Sequence, residues 1–392
     1  VKIYNILMDT VPRHGKIKDA FERKGITFSD HITCSSTVPT LITMFSGKTP
    51  TEMFGIGGVG HSHSYGRFVE DKEKWNEEMI FHNFTKSPQN ITGLNWTTHI
   101  HSMPLTRGDG GKGDYGSTSF KLLPDDICGR TDNMKFYEYN VGGDESNFIK
   151  KMQDMTGNHF IVLKFNHYHD SSRGTKLNYN GKSMESNPEN IVDMYVDMID
   201  NMDFDEPDSL FWIYADHGEP HNVGLMMPPP DSWLAWCGIK DNITNKKIDK
   251  KIIGCDDFKN TVLNRIYNKN LPNDILEDVD MNRIYVREDG RSAVNPNFAS
   301  TVSAIKALDE NRYIQYVCHS PQAANKRHFH NIMERTIIYN KTENTIDAPN
   351  VIESEIGEQL KQHLIDGPWE WYFRETAKEK AHGRENTWLE KH

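Results

Sequence analysis

The sequence predicts an α/β protein, a mostly parallel sheet sandwiched by helices and followed by a small antiparallel sheet with a helix. Three observations support this. Apolar runs at residues 2–8, 159–165 and 209–215 read as strands buried on both faces, the pattern of a parallel sheet. Segments of helical spacing alternate with them, which places helices on the sheet faces. After about residue 290 the pattern changes to paired strands and one further helix.

The elements follow in chain order. Residues 2–8 form a strand that ends in Asp9; residues 16–24 are helical and stop at Gly25. A hydroxyl-rich stretch, Cys34-Ser35-Ser36-Thr37-Val38-Pro39-Thr40, opens a helix over residues 39–46 that stops at Gly47, and Pro39 is at home in its first turn. Residues 55–116 are rich in glycine and histidine and read as pocket-shaping loops around one short strand at 92–101. Residues 55–60 match a dinucleotide-binding glycine pattern, but they follow a helix instead of a strand, so a flexible rim is expected. Ile191, Met194, Tyr195, Met198 and Ile199 give residues 190–202 a helical stripe ahead of the strand at 209–215. Residues 311–318 and 335–340 read as paired strands, with a helix at 351–364. The aromatic tail, with Trp369, Trp371, Tyr372, Phe373 and Trp388, is expected to dock on the body, a lid or a subunit contact in a homo-oligomer being the alternatives.

At 392 residues with 36% hydrophobic content the chain can bury a large core, and it exceeds a typical single domain. A catalytic domain over residues 1–290 and a small-sheet subdomain with the tail over residues 291–392 are expected. The formal net charge of -11 argues against nucleic acid as a partner and asks for local positive charge wherever a small anion binds. No apolar stretch reaches the ~20 residues that span a bilayer, and the opening residues read as a strand instead of a signal peptide. Cys34, Cys128, Cys237, Cys255 and Cys318 are scattered singly, as reduced thiols are; a soluble, cytoplasmic protein is the expectation. Asn-x-Thr sequons at Asn83, Asn90, Asn95, Asn242 and Asn340 pull weakly the other way.

Ligands of open α/β sheets collect beyond the carboxyl ends of the strands, where Asp9, His167, His169, Asp170, Asp216 and His217 lie. A carboxylate after one strand, with a second carboxylate and an imidazole after another, makes an oxygen and nitrogen site for a divalent ion: zinc, manganese or calcium. A hydroxyl beside such an ion becomes a nucleophile, and Thr37 stands at a helix start whose backbone N–H groups steady an anion. Lys48, His61, His63, Arg67 and Arg107 are further candidates for contacting an anionic substrate.

Tyr4-Asn5-Ile6-Leu7-Met8-Asp9-Thr10, Phe211-Trp212-Ile213-Tyr214-Ala215-Asp216-His217-Gly218-Glu219 and the ending from Tyr339 resemble segments of the alkaline phosphatase superfamily. The branch resembled most is that of sulfatases, phosphonate monoester hydrolases and phosphoethanolamine or phosphoglycerol transferases, over nearly the whole length. The resemblance implies an alkaline phosphatase-like fold, with Asp9, Asp216 and His217 as metal ligands and Thr37 as nucleophile and metal contact. In that family the nucleophile segment reads Cys or Ser, any residue, Pro, Ser, Arg, with a Gly six residues on. Here Thr37-Val38-Pro39-Thr40-Leu41 through Gly47 keeps the register, but Thr37 replaces the residue oxidised to formylglycine and Leu41 replaces the arginine. Residues 161–170 resemble the segment leading to a histidine at the transferred group, which implies His169 as general acid or second-metal ligand. A second site would draw on His169, Asp170 and His221; Gly174 stands where two-metal relatives carry a histidine. The implied activity is metal-dependent hydrolysis of phosphate or phosphonate mono- and diesters, a small anionic ester being the partner. A sulfatase without formylglycine, a phosphoryl-group transferase and a binding module without turnover are the alternatives.

Overall fold

The computed structural model describes residues 1–34, 37–54, 80, 96–101, 134–137, 145–165, 167–168, 176–179, 182–218, 230–290, 300–320 and 333–373. The strands are β1 (Lys2–Met8), β2 (Phe28–Ile32), β3 (Trp96–His101), β4 (Met134–Tyr137), β5 (Asn158–Phe165), β6 (Lys176–Tyr179), β7 (Lys182–Glu185), β8 (Ser209–Tyr214), β9 (Leu234–Asp241), β10 (Ile252–Gly254), β11 (Tyr285–Gly290), β12 (Ser300–Ala307), β13 (Arg312–Ser320), β14 (Met333–Asn340) and β15 (Thr345–Asp347). The helices used below are α1 (Gly15–Arg23), α2 (Thr37–Ser46), α3 (Pro50–Phe54), α4 (Glu145–Gln153), α5 (Pro188–Asn201), α6 (Asp257–Tyr267) and α7 (Val351–Asp366).

The main sheet has eight strands in the order β10-β2-β9-β8-β1-β5-β3-β4. Strand β9 runs antiparallel to both neighbours, and every other neighbouring pair is parallel. All seven residues of β1 are buried, because both faces of the sheet are covered. On one face Ile3, Leu7, Phe160, Val162 and Trp212 pack with Leu41 and Phe45 of α2 and Phe258 of α6. On the other, Tyr4, Ile6, Ile161, Leu163, Phe211 and Ile213 pack with Phe21 of α1 and Ile191, Tyr195 and Met198 of α5. Each such side chain contributes roughly 1.5–3 kcal/mol on burial. The predicted α/β sandwich is therefore the observed one. Helix α5 starts where Asn187 accepts a hydrogen bond from Asn190 N at 2.9 Å and Pro188 opens the first turn.

Strands β11 to β15 form a second sheet, antiparallel and in chain order. Its core includes Val302, Ile314, Tyr316 and Ile338, with Leu360 and Leu364 of α7 packed on it. A capping box between Asn350 and Glu353 starts α7. The beginning of the tail docks as expected: Trp369 Nε1 donates to Thr49 Oγ1 at 3.2 Å, and Tyr372 OH donates to buried Glu288 Oε1 at 3.1 Å. Trp388 and the Trp371 side chain lie outside the described residues.

Buried ion pairs join the two sheets. Asp30 of β2 pairs with Arg13 and with Lys341 at 2.7 Å and accepts a hydrogen bond from Tyr313 of β13. Next to it, Arg287 of β11 donates to the Ile32 carbonyl at 3.0 Å and pairs with Asp256 at 2.9 Å. Cys34, Cys237, Cys255 and Cys318 are buried and none is disulfide-bonded to another described cysteine; Cys128 lies outside the described residues. The Asn242 amide is committed inside the fold, donating to the Phe204 and Glu206 carbonyls at 2.8 Å, so that sequon is a structural asparagine. No helix among the described residues is long and apolar enough to cross a membrane.

Candidate active site

Strands β1 and β8 are parallel neighbours with Leu7 opposite Tyr214, so the residues after them leave the sheet side by side. Asp9 N donates to Phe165 O at 2.9 Å and keeps the end of β1 on β5. Thr10 then takes φ 61°, a left-handed conformation that costs a β-branched residue about 1–3 kcal/mol. That turn aims its N–H at Asp216 Oδ1, 3.2 Å away, and His217 N donates to the same oxygen at 3.1 Å. One Asp216 oxygen is thus fixed by two backbone donors. The other, Oδ2, is buried, accepts no hydrogen bond of ordinary geometry among the described residues, and lies 3.6 Å from His217 Nε2.

Asp9 stands beside this pair, with Oδ1 3.8 Å from His217 Nε2 and Oδ2 2.6 Å from Lys164 Nζ. One ligand atom from each of Asp9, Asp216 and His217 lies within 4.8 Å of the others. His217 Nδ1 is 2.7 Å from the Gly218 carbonyl, an acceptor only, so Nδ1 donates there and Nε2 is the ring nitrogen that faces the carboxylates and could ligate an ion. Burial and the adjacent Asp9 charge raise Asp216 above the ordinary carboxylate range, and His217, Lys164 and the Thr37 hydroxyl offset this only in part. Two buried carboxylates and an imidazole nitrogen, with one carboxylate oxygen that meets no donor at ordinary hydrogen-bond geometry among the described residues, are a donor set that fits a divalent cation.

Thr37 is the first residue of α2, half-buried, with Oγ1 3.4 Å from His217 Nε2. Its position is set one turn on, by Thr40. The Thr40 hydroxyl accepts from Cys34 N at 3.1 Å and lies 3.2 Å from the Cys34 carbonyl and 3.1 Å from the Asp216 carbonyl, to one of which it donates. Cys34 and the strand end bearing Asp216 are therefore tied to one side chain.

The structure brings together Asp9, Thr37, Asp216 and His217 from three sequence regions. His167 is buried just past β5, its ring 6.0 Å from that of Tyr195. His169, Asp170, His221, Ser35, Ser36, residues 55–60, Arg67 and Arg107 lie outside the described residues. Sequence reasoning passed over Lys164 and Thr40. A lysine inside an otherwise apolar doubly buried strand was the available signal, because such a charge demands a partner. Nothing in the local sequence marks Thr40, whose partners lie 6 and 176 residues away.

No family model and no curated protein matches the chain. Among solved structures, it is similar to a protein of the alkaline phosphatase superfamily from Vibrio parahaemolyticus, with TM-score 0.51 and 12% identity over 95% of this chain and 86% of that one. It is also similar to the phosphoglycerol transferase GacH of Streptococcus pyogenes in complex with sn-glycerol-1-phosphate, with TM-score 0.39 and 11% identity over 67% of this chain and 73% of that one. With its mixed eight-stranded sheet, flanking helices and separate antiparallel sheet, the chain has an alkaline phosphatase-like fold.

Proposed function

We propose that this chain is a metal-dependent hydrolase of phosphate or phosphonate mono- and diesters, with Thr37 as nucleophile and a covalent phosphothreonyl intermediate. The observation that supports it best is the Thr37 hydroxyl, half-buried and 3.4 Å from His217 Nε2, at the edge of the Asp9, Asp216 and His217 cluster. A divalent ion held by Asp9, Asp216 and His217 would supply positive charge beside the ester oxygens and favour the Thr37 alkoxide. Thr37 Oγ1 forms a bond to phosphorus as the bond to the leaving oxygen breaks. Water then attacks the phosphothreonine and restores the hydroxyl. Pro39 lacks an N–H, so the first-turn donors for ester oxygens come from Thr37, Val38 and Thr40. His169, which resembles the family's histidine at the transferred group, is assigned to protonating the leaving oxygen.

Rapid mixing of protein, manganese and an aryl phosphodiester should give a burst of phenol stoichiometric with protein, and acid quench followed by peptide mass analysis should find phosphate on Thr37. A Thr37→Ala variant that turns over at the full rate would eliminate this assignment.

A further inference from the structure

Lys164 interrupts the apolar run of β5 one residue before the carboxyl end of the strand. Its Nζ lies 2.6 Å from Asp9 Oδ2, both side chains being more than nine-tenths buried, while Asp9 Oδ1 faces His217 Nε2 at 3.8 Å. A carboxylate can serve two cations, one through each oxygen. At Asp9 one of the two oxygens already holds an ammonium that the fold cannot release to solvent. Counting the described residues of the cluster, two carboxylates and the Lys164 ammonium, with a ligating imidazole neutral, sum to one negative charge, which a divalent ion converts to one positive charge.

We propose that Lys164 is the second cation of this site, built into the chain: it holds the centre to a single divalent ion and matches it to an ester group bearing one negative charge. A phosphodiester or a phosphonate monoester carries that charge; a phosphate monoester dianion does not. The inference rests on the reading of the site as a cation-dependent ester hydrolase. Lys164 acts through Asp9 and through charge, so it is a positioning residue. A purely structural tether for Asp9 predicts the opposite sign in the experiment below. If Lys164 only anchored the carboxylate, its loss would weaken cation binding. If it stands in for a cation, its loss removes like-charge repulsion and strengthens binding.

The test is a titration of metal-free protein with manganese, followed by electron paramagnetic resonance. Wild type should bind one tight ion per chain with no spin coupling. Lys164→Met, similar in length and uncharged, should bind that ion roughly tenfold tighter or more, and Lys164→Arg should return the wild-type affinity. Lys164→Gln gives the same sign test should the methionine variant fail to fold. At saturating manganese, wild type should prefer an aryl phosphodiester to the aryl phosphate monoester in kcat/KM, and the neutral variants should raise KM for the diester. Two coupled ions in wild type, weaker manganese binding in a folded neutral variant, or a preference for the dianion would each overturn the proposal. Wild type that binds no manganese would sink the hydrolase reading along with it; one bound ion and a labelled Thr37, with no tightening in the neutral variants, would sink the Lys164 inference alone.

Discussion

Buried charge is handled differently at the carboxyl ends of β1 and β8 and at the seam between the two sheets. At the seam, burial alone would raise Asp256, but Arg283 and Arg287 outweigh it and hold the carboxyl below its ordinary range. Asp30 likewise meets Arg13, Lys341 and the Tyr313 hydroxyl. At the strand ends, among the described residues, Lys164 pairs with Asp9 and reaches Asp216 only through its charge, and Asp216 is raised. A raised value by itself does not mark a site. Burial also raises Asp257, and that carboxylate is met by Arg283 at 2.6 Å and Lys250 at 3.5 Å. What sets the strand ends apart, among the described residues, is that Asp216 Oδ2 has only the His217 ring as an ion-pair partner, at 3.6 Å, where Asp257 Oδ1 has a guanidinium at 2.6 Å. The seam uses charge to hold sheets together; the strand ends hold charge in reserve for something that binds.

The sharpest way to break this contrast is to remove one cation from the seam. Arg287→Met leaves Asp256 with one guanidinium fewer and the Ile32 carbonyl with the Cys255 N–H but not the guanidinium, and should cost about 3–5 kcal/mol of unfolding free energy in denaturant titration. If seam and strand ends are independent, the folded variant keeps its manganese affinity.

Asp216→Asn should act in the other direction. The amide oxygen can still accept from Thr10 N and His217 N, while the surplus buried charge disappears. Metal-free protein should therefore melt at a higher temperature than wild type, while competition with a chromophoric chelator shows cation affinity lower by on the order of tenfold to a hundredfold. A variant that melts lower and binds as well would show that the reserve of charge has no cost.

His31 gives the smallest effect and lies between the two regions, with Nδ1 3.4 Å from the Ala215 carbonyl and Arg287 nearby in charge. Burial, above all, lowers it from 6.5 to about 3. The folded ring stays neutral while the unfolded ring takes up a proton, so the contribution of His31 is complete above pH 6.5 and is lost progressively as pH falls toward about 3. Between pH 7 and 5, wild type should lose stability faster than His31→Gln, by at most about 1.4 kcal/mol per pH unit, in paired urea titrations. Parallel curves would place His31 among groups that titrate alike in both states.

Much of this architecture was legible because it rests on local pattern. Strands β1, β5 and β8 are covered on both faces and read as largely apolar runs, and Asp9 and Asp216 stand out as the acidic residues that follow β1 and β8. Strand β2 is harder to read. Its sequence Phe-Ser-Asp-His-Ile carries polar residues whose partners are elsewhere: Ser29 donates to the Lys250 carbonyl at 2.7 Å, and Asp30 serves the seam. In β9, Gly238 looks like a strand breaker, yet a Cβ there would come within 2.7 Å of the Phe21 ring, so the glycine is what lets α1 lie on the sheet. Lys164 and Thr40 belong to the same class, residues whose meaning is a contact across the chain and not a pattern along it.

The clamp formed by the Thr40 hydroxyl separates the address of the attacking atom from its identity. Because Cys34 and the strand end at Asp216 are both pinned by a residue one helical turn downstream, the backbone under Thr37 is located without help from its own side chain. Exchanging that side chain for serine or cysteine would alter leaving-group scope and redox sensitivity on an unchanged mount, which makes this position a socket for protein engineers to refit.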